Sequence, residues 1–329
     1  MENITYKKLL ILFRENGGFF HKNLKIEKDI KKGFCVIATD EIKTNEILID
    51  VPHNLLISVE KTKNLRKFKN KFDEVFFQNL LENYDYLNTH PLNSNNFELE
   101  RINNTIKNNE NLAQNFSIRF NNFNSLSSQQ KKIELLSSTR AIFIKKYEKK
   151  FFMPIMDFVN YHYSGLKYMT GDSGNIYVKS KEKIKKNQEI LISYTHSSDA
   201  ISFFLKHGFI DDSFSSFRIK KNELKLNLNS ISTFNKNYFS KENDTYTFKE
   251  NIYFYGNDFS KNIFKFLEIF PQIHRAEMLK KILNMYKNSI YMDKREDIEN
   301  NSIILKNFYK SVRLYKKIID DCLNVFEKK

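Results

Sequence analysis

Two stretches of strand-type sequence flank a long stretch of helix-type sequence, and this arrangement constrains the fold more than any other feature. Short runs rich in β-branched residues fill residues 24–57, and such runs return after Lys150. Between them, residues 60–138 are polar and carry apolar side chains at helical spacing, such as Phe72 and Phe76. Strands favour a period of two residues and helices a period near 3.6. We therefore interpret residues 60–138 as a helical insertion.

Turn-forming residues bound the remaining predicted elements. A helix is predicted over residues 5–13 and ends at Asn16, Gly17 and Gly18. GDSGN at residues 171–175 predicts a turn, and Gly208 ends a helix over residues 199–206. The other predicted strands are residues 35–38, 46–51, 151–155, 175–178, 189–193 and the pair 217–219 with 224–228, and the later helices are 262–270, 273–285 and 302–326.

The last predicted helix carries an apolar stripe. Its apolar residues recur at alternating intervals of three and four, which is the spacing of a helix that packs on other helices. The stripe comprises Leu305, Phe308, Val312, Tyr315, Ile319, Cys322 and Phe326.

The composition is that of a folded protein without disulfide bonds. Of 329 residues, 41% are hydrophobic and 15% aromatic, which is ample for a packed core. Cys35 and Cys322 are far apart in sequence, so a disulfide framework and a cysteine-built zinc cluster are excluded. The apolar run at residues 9–13 is too short for a signal peptide or a membrane span. We expect a soluble, monomeric protein of the cytoplasm, with the nucleus as the alternative compartment.

The charge pattern does not single out a nucleic-acid platform. The formal net charge is +15, and a basic surface attracts polyanions. However, Lys, Asn and Ile are abundant along the whole chain, which indicates a bias toward A/T-rich codons. The charge by itself therefore does not indicate a nucleic-acid partner, and nucleic acid stays an alternative that is not favoured.

Several familiar catalytic motifs are absent from the sequence. It contains no GxGxxG, Walker loop, GxSxG or HExxH. His162, in the NYHY segment near Asp157, lacks further metal ligands nearby, which favours a structural role. No metal is expected.

Three segments, read together, resemble the SET-domain methyltransferases, in particular the branch that includes the Rubisco and actin methyltransferases. They are KKGFCVIATDEIKTNEILIDVPHNLLIS at residues 31–58, RAIFIKKYEKKFFMPIMDFVNYHY at 140–163 and IKKNQEILISYTHSSDAISFFLKHGFIDD at 184–212. The resemblance covers nearly the whole chain. It implies an α+β fold with a β-rich pseudoknotted SET core, a helical insertion and a helical carboxy-terminal lobe.

The resemblance also implies domain bounds and an activity. The SET domain would span residues 1–212, with its core at 1–58 and 131–212 and its insertion at 59–130. Residues 213–329 would form a helical substrate-binding lobe. The implied enzyme moves a methyl group from S-adenosyl-L-methionine to a side-chain nitrogen of a protein, a lysine in the first place.

Five positions match the parts of the family that hold the cofactor. In the family, the main chain around Gly33 and Phe34 cradles the methionine end. Asp157 and Asn160 match the signature P-x-x-D-x-x-N-H, with Tyr161 in place of histidine. The resemblance implies that Asn160 binds the amino acid end of the cofactor and that the main chain at residues 160–161 reads the adenine amino group.

The third segment matches the catalytic strand of the family. Its EI-x-I-S-Y pattern assigns Tyr194 to the position beside the sulfonium and the target amine, although such a tyrosine elsewhere is usually a half-buried strand residue. Phe209, after Gly208, would cover the adenine ring, and Arg140 would line the cofactor and substrate channel. His207 stands where a second tyrosine is common, and we assign it a catalytic role in orienting or deprotonating the substrate.

Four positions depart from the family pattern: Lys32, Cys35, Tyr161 and His207. Two alternatives to lysine methylation stay open. One is methylation of histidine instead of lysine, and the other is a degenerate, non-catalytic SET module that binds a protein or nucleic acid.

Overall fold

The computed structural model describes residues 4–29, 33–62, 70–83, 88–194, 198–219, 236–242, 245–255, 275–291 and 302–327. The chain divides into two compact units. The first comprises Met1–Asn88 and Phe123–Tyr194, and the second comprises Thr89–Asn122 and Thr195–Lys329. The implied functional boundary between residues 212 and 213 stays a prediction.

Both units contain helices and strands. In chain order they are α1 (Ile4–Glu15), β1 (Phe19–Phe20), β2 (Leu24–Asp29), β3 (Gly33–Ala38), β4 (Ile47–Val51), β5 (Ile57–Ser58), α2 (Val59–Thr62), α3 (Lys71–Asn83), α4 (Asn96–Ile106), α5 (Glu110–Asn124), α6 (Ser128–Arg140), β6 (Ile142–Ile144), β7 (Lys149–Phe152), β8 (Asn160–Leu166), β9 (Tyr168–Thr170), β10 (Ile176–Lys179), β11 (Glu189–Ile192), α7 (Ala200–His207), β12 (Ser216–Ile219), β13 (Phe239–Glu242), β14 (Thr245–Phe248), β15 (Ile252–Tyr255), α8 (Arg275–Asn288) and α9 (Ile303–Glu327).

Strands from the two predicted strand-type stretches pair with each other in the first unit. The sheet orders are β1-β4-β10-β9, β2-β3-β11-β8 and β5-β7-β6. The pairs β4–β10, β3–β11 and β5–β7 are antiparallel and join strands on opposite sides of helices α2 to α6 in the sequence. The predicted α+β class, with a β-rich core interrupted by helices, is confirmed.

A close backbone approach fixes the end of β11. Strand β8 runs parallel to β11, and a Cβ atom on Gly165 would lie 2.6 Å from the main-chain carbon of Ile192. Only glycine permits this approach. The Ser193 amide then donates to the Leu166 carbonyl oxygen at 2.9 Å. Tyr194 therefore follows a strand whose end is held by its neighbour.

Helix α9 supplies much of the core of the second unit. Phe308 lies 6.0 Å from Phe204 of α7, and Tyr315 lies 5.5 Å from Phe217 of β12, measured between ring centroids. The predicted stripe is buried at Leu305, Phe308, Val312, Tyr315, Ile319 and Cys322. Within the described residues, no helix has both the length and the apolar character to cross a membrane.

Some local predictions differ from the structure. Strand β12 pairs with β15, a non-local partner that was not predicted from the sequence. Strands β13, β14 and β15 were not predicted, because their pattern is short and each depends on its partner for burial. Residues 224–228 and 262–270, Lys32 and the Phe326 side chain lie outside the described part of the chain.

Candidate active site

The hydroxyl group of Tyr194 lies in a hydrogen-bonded cluster of the first unit. It donates to the Val159 carbonyl oxygen at 3.3 Å. Arg140 Nη1 donates to the Tyr194 oxygen at 3.3 Å and to the Asp157 carbonyl oxygen at 3.0 Å. The Tyr161 ring lies 5.2 Å from the Tyr194 ring, between centroids. The structure thus brings together four side chains that the sequence assigned to one site: Arg140, Asp157, Tyr161 and Tyr194.

Local sequence signals place Arg140 in this cluster. Helix α6 begins at the Ser127 N-cap, which forms a reciprocal capping box with Gln130. The helix ends at Arg140, and the Ala141 amide closes its last turn on the Ser137 carbonyl oxygen at 3.3 Å. A long, planar guanidinium at a helix end can bridge two acceptors at once, as Arg140 does here.

Asp157 occupies a buried and strained part of the site. It lies in the 3₁₀ turn Met156–Phe158, after Ile155, whose φ of 68° is unusual for a β-branched residue. Ile155 is itself fully buried, so packing maintains this backbone conformation. Burial raises the pKa of Asp157 to about 7, and the Arg140 charge opposes the rise.

The Asp157 carboxyl group should make stability depend on pH. Its folded-state pKa lies above the unfolded value of 3.8, so the folded chain binds the proton more tightly. The free energy of unfolding should therefore fall as the pH rises from about 4 to about 7, by roughly 4 kcal/mol. Asp157→Asn should remove this fall, so urea denaturation should show the variant gaining stability over the wild type as pH rises.

Asp172→Asn is the matched control for this prediction, because it makes the same charge change at an exposed position. Its stability should run parallel to that of the wild type across the same pH range. Parallel curves for Asp157→Asn as well would show that Asp157 is not protonated in the folded chain.

Tyr168, on β9, is a site residue that sequence reasoning missed. Its pKa is raised by burial and by the nearby Tyr194 and Asp157. Burial also raises the pKa of Tyr194, although Arg140 acts in the opposite direction. Two neutral phenols therefore share the surroundings of Asp157. No local signal marked Tyr168, because its position depends on the pairing of β9 with β10.

Asn160 is held by Glu189, another residue that the sequence did not single out. The Asn160 amide nitrogen donates to a Glu189 carboxylate oxygen at 2.8 Å. Asn160 begins β8 and Glu189 begins β11, and these two strands are parallel neighbours. The bond fixes the orientation of the Asn160 amide.

Gly33 begins β3 in a conformation that favours glycine. Its φ is 76°, and a Cβ atom placed there would meet no atom within 4 Å, so space beside the main chain is open. Phe34 is buried against Phe158 at 5.0 Å between ring centroids, which joins β3 to the Asp157 turn. The buried Cys35 thiol lies 3.7 Å from the Glu27 carbonyl oxygen, inside the β2–β3 hairpin.

His207 and Phe209 belong to the second unit. His207 is the last residue of α7 and is buried, with its ring 4.5 Å from that of Phe203. Phe209 follows Gly208, whose φ of 78° ends the helix, and lies edge-on to Phe203 at 5.4 Å. The rings of His207 and Phe209 therefore both pack against Phe203.

His162 contacts its near neighbour Ser164. Its Nδ1 atom accepts the Ser164 main-chain amide at 3.2 Å and lies 2.9 Å from the Ser164 hydroxyl oxygen. In the part of the chain that the structure describes, no group of His, Cys, Asp or Glu side chains is arranged to hold a metal ion.

Comparisons with known proteins identify the fold. Residues 33–195 match the SET domain family. The crystal structure of the SET domain of LSMT bound to lysine and AdoHcy matches with a TM-score of 0.51 and 15% identity, over 100% of this chain and 92% of that one. The structure of Rubisco LSMT bound to AdoMet matches with a TM-score of 0.52 and 12% identity, over 98% and 92%. No curated protein matches this sequence. Residues 33–195 are therefore similar to a SET domain, and the chain has the fold of the Rubisco LSMT structures.

Proposed function

We propose that this protein transfers a methyl group from S-adenosyl-L-methionine to a lysine side chain of a protein substrate. The observation that carries the proposal is the placement of the Tyr194 hydroxyl between Arg140 and the Val159 carbonyl oxygen, two residues after the end of β11. The SET domain match supports it, as do the structural neighbours, one solved with lysine and AdoHcy and one with AdoMet.

The residues present fit this cofactor. Gly33 leaves open space beside its main chain, because a Cβ atom placed there would meet no atom within 4 Å. The Asn160 amide and the Glu189 carboxylate, 2.8 Å apart, suit the carboxylate and ammonium groups of an amino acid. We assign cofactor binding to Gly33, Phe34, Arg140, Asp157, Asn160, Tyr161, Tyr194 and Phe209. The assignments of Phe209 and of a catalytic His207 rest on the family resemblance alone.

When bound, the cofactor would supply an electrophilic methyl group. This group would pass to the amine nitrogen as its bond to sulfur breaks, which leaves a neutral thioether. The chain's own residues must orient a neutral amine, because an ammonium has no lone pair. Tyr194, with its raised pKa, stays protonated and so acts as a hydrogen-bonding group rather than as a base. The Tyr194 phenol orients the amine without offering a competing nucleophile.

Calorimetry with S-adenosylhomocysteine tests the cofactor assignment. The wild type should bind it, and Asn160→Ala should weaken binding by roughly 10- to 100-fold, the effect of losing a hydrogen bond to a charged group.

Asn175→Ala is the matched control for Asn160→Ala. Asn175 is also half-buried, and its amide donates to Asp50 at 2.7 Å, so both variants lose one amide–carboxylate bond. Only Asn160→Ala should lose cofactor affinity. Equal affinities in both variants would refute the placement of the site, and a wild type that binds no cofactor would support the degenerate module.

Histidine methylation is distinguished from lysine methylation by the product. Each exchange of H for CH₃ adds about 14 Da. Mass spectrometry of the digested, methylated substrate should locate this added mass on lysine. A methylated histidine would favour the alternative.

We further propose that residues 213–329 bind the substrate protein.

A further inference from the structure

A buried imidazole of the second unit bonds to two separate segments at once. His90 is 1% exposed and precedes the 3₁₀ turn Pro91–Asn93 as its N-cap. Its Nδ1 atom accepts the Leu92 main-chain amide at 3.1 Å, and its Nε2 atom lies 3.0 Å from the Lys206 carbonyl oxygen of α7. A carbonyl oxygen only accepts, so Nε2 carries the proton and Nδ1 does not. Both bonds together therefore require the neutral Nε2–H tautomer.

The surroundings of His90 keep this tautomer neutral. Burial lowers its pKa to about 4, and the positive charge of Arg119 on α5 acts in the same direction. Protonation at Nδ1 would also oppose two N–H donors, that of His90 and that of Leu92. At neutral pH the imidazole therefore keeps both hydrogen bonds, one at Nδ1 and one at Nε2.

The partner of His90 is the carboxy-terminal end of α7, where helix carbonyls lack intrahelical donors. Three consecutive carbonyl oxygens find donors here. The Gly208 amide bonds to Phe204 at 2.8 Å, Arg119 to Leu205 at 3.2 Å, and His90 to Lys206 at 3.0 Å. Two of the three donors are side chains from residues 90–119, far from α7 in sequence.

His90 also packs directly against the turn that follows α7. A Cβ atom on Gly208 would lie 2.9 Å from the His90 ring and 3.1 Å from its Cα atom. Gly208 therefore needs to be glycine both for its φ of 78° and for this contact. The hydrogen bond and the packing together set where the chain leaves α7.

We propose that His90 is a positioning residue for the turn at residues 207–209, acting through its Nε2–H bond to the Lys206 carbonyl oxygen. The consequence for catalysis rests on the proposed function, in which His207 and Phe209 serve the substrate amine and the cofactor adenine. His90 touches neither reactant in this proposal. His90 holds the carboxy-terminal end of α7, where His207 is the last helical residue and Phe209 follows.

Two substitutions of His90 distinguish the contribution of the Nδ1 hydrogen bond from that of the Nε2 hydrogen bond. In His90→Gln, the side-chain amide nitrogen lies near the former Nε2 position and keeps a donor for Lys206. In His90→Asn, the side-chain oxygen replaces Nδ1 and keeps the N-cap for Leu92, but the side chain is too short to reach Lys206. The pair is matched in polarity and in the loss of the ring.

In the full chain, His90→Gln should bind S-adenosylhomocysteine within about threefold of the wild type, whereas His90→Asn should bind it about tenfold more weakly. A role confined to capping the 3₁₀ turn predicts the opposite order. Equal losses in both variants would also overturn the proposal, because only the filling of space by the ring would then matter.

Amide hydrogen exchange gives a readout that does not depend on the proposed function. The Gly208 amide should exchange about tenfold faster in His90→Asn and unchanged in His90→Gln, while the Leu92 amide should show the reverse. Unchanged Gly208 exchange in His90→Asn would refute the positioning role. A wild type that binds no S-adenosylhomocysteine, with Gly208 exchange as expected, would refute the proposed function and support the positioning role.

Discussion

Tyr194→Phe should lower kcat by about 10²-fold while leaving the affinity for S-adenosylhomocysteine almost unchanged. The variant keeps the ring that lies 5.2 Å from Tyr161 and removes only the hydroxyl group. That hydroxyl bonds to Arg140 and Val159 in the resting protein, and under the proposed function it orients the approaching amine. A contact that strengthens in the transition state affects turnover more than binding. Single-turnover methylation and calorimetry would measure the two effects separately.

Tyr177→Phe is the control for this experiment. Tyr177 is a half-buried tyrosine of β10 in the same unit, outside the proposed site, and its loss should leave kcat unchanged. Full activity of Tyr194→Phe on an identified substrate would show that the catalytic assignment is wrong while the fold is right. If instead the variant loses cofactor binding and solubility together, Tyr194 is a core residue.

Phe308→Ala should destabilise the protein by about 3–5 kcal/mol, a large part of the stability of a typical domain. Phe308 belongs to the α9 stripe and is fully buried, and its ring lies 6.0 Å from that of Phe204 of α7, between centroids. Truncation leaves a cavity that the surrounding helices fill only in part. Urea denaturation followed by circular dichroism would measure the loss.

Ile303→Ala tests whether truncating any apolar side chain of α9 destabilises the protein, or only a buried one. Ile303 begins the same helix but is 54% exposed, so its substitution should change stability by no more than about 0.5 kcal/mol. The same packing predicts that removal of all residues after Asn301 gives an insoluble chain. A soluble truncated chain that unfolds cooperatively would contradict the role of α9 in the core.

Local patterns in the sequence were sufficient for some of the elements, above all α7 and α9. The three-and-four spacing from Leu305 to Cys322 predicted the buried face of α9, and Gly208 predicted the end of α7. Both signals are read within a few residues, because helix periodicity and helix termination are local properties of the backbone. The family resemblance added the assignment of Arg140, Asp157, Tyr161 and Tyr194 to one site, and the structure places these four together.

Long-range contacts, by contrast, were decided only in the tertiary structure. Strand β12 pairs with β15 across a gap of more than thirty residues, from Ile219 to Ile252, and no local pattern specifies such a partner. Tyr168 joins the surroundings of Asp157 through sheet pairing, and Glu189 meets Asn160 across two strands. The sequence by itself determined the helices with strong periodicity, the glycine that ends α7 and the family that the chain resembles. The tertiary structure decided which strands pair, the burial that raises the pKa of Asp157, and the two bonds of His90, because each depends on groups distant in sequence.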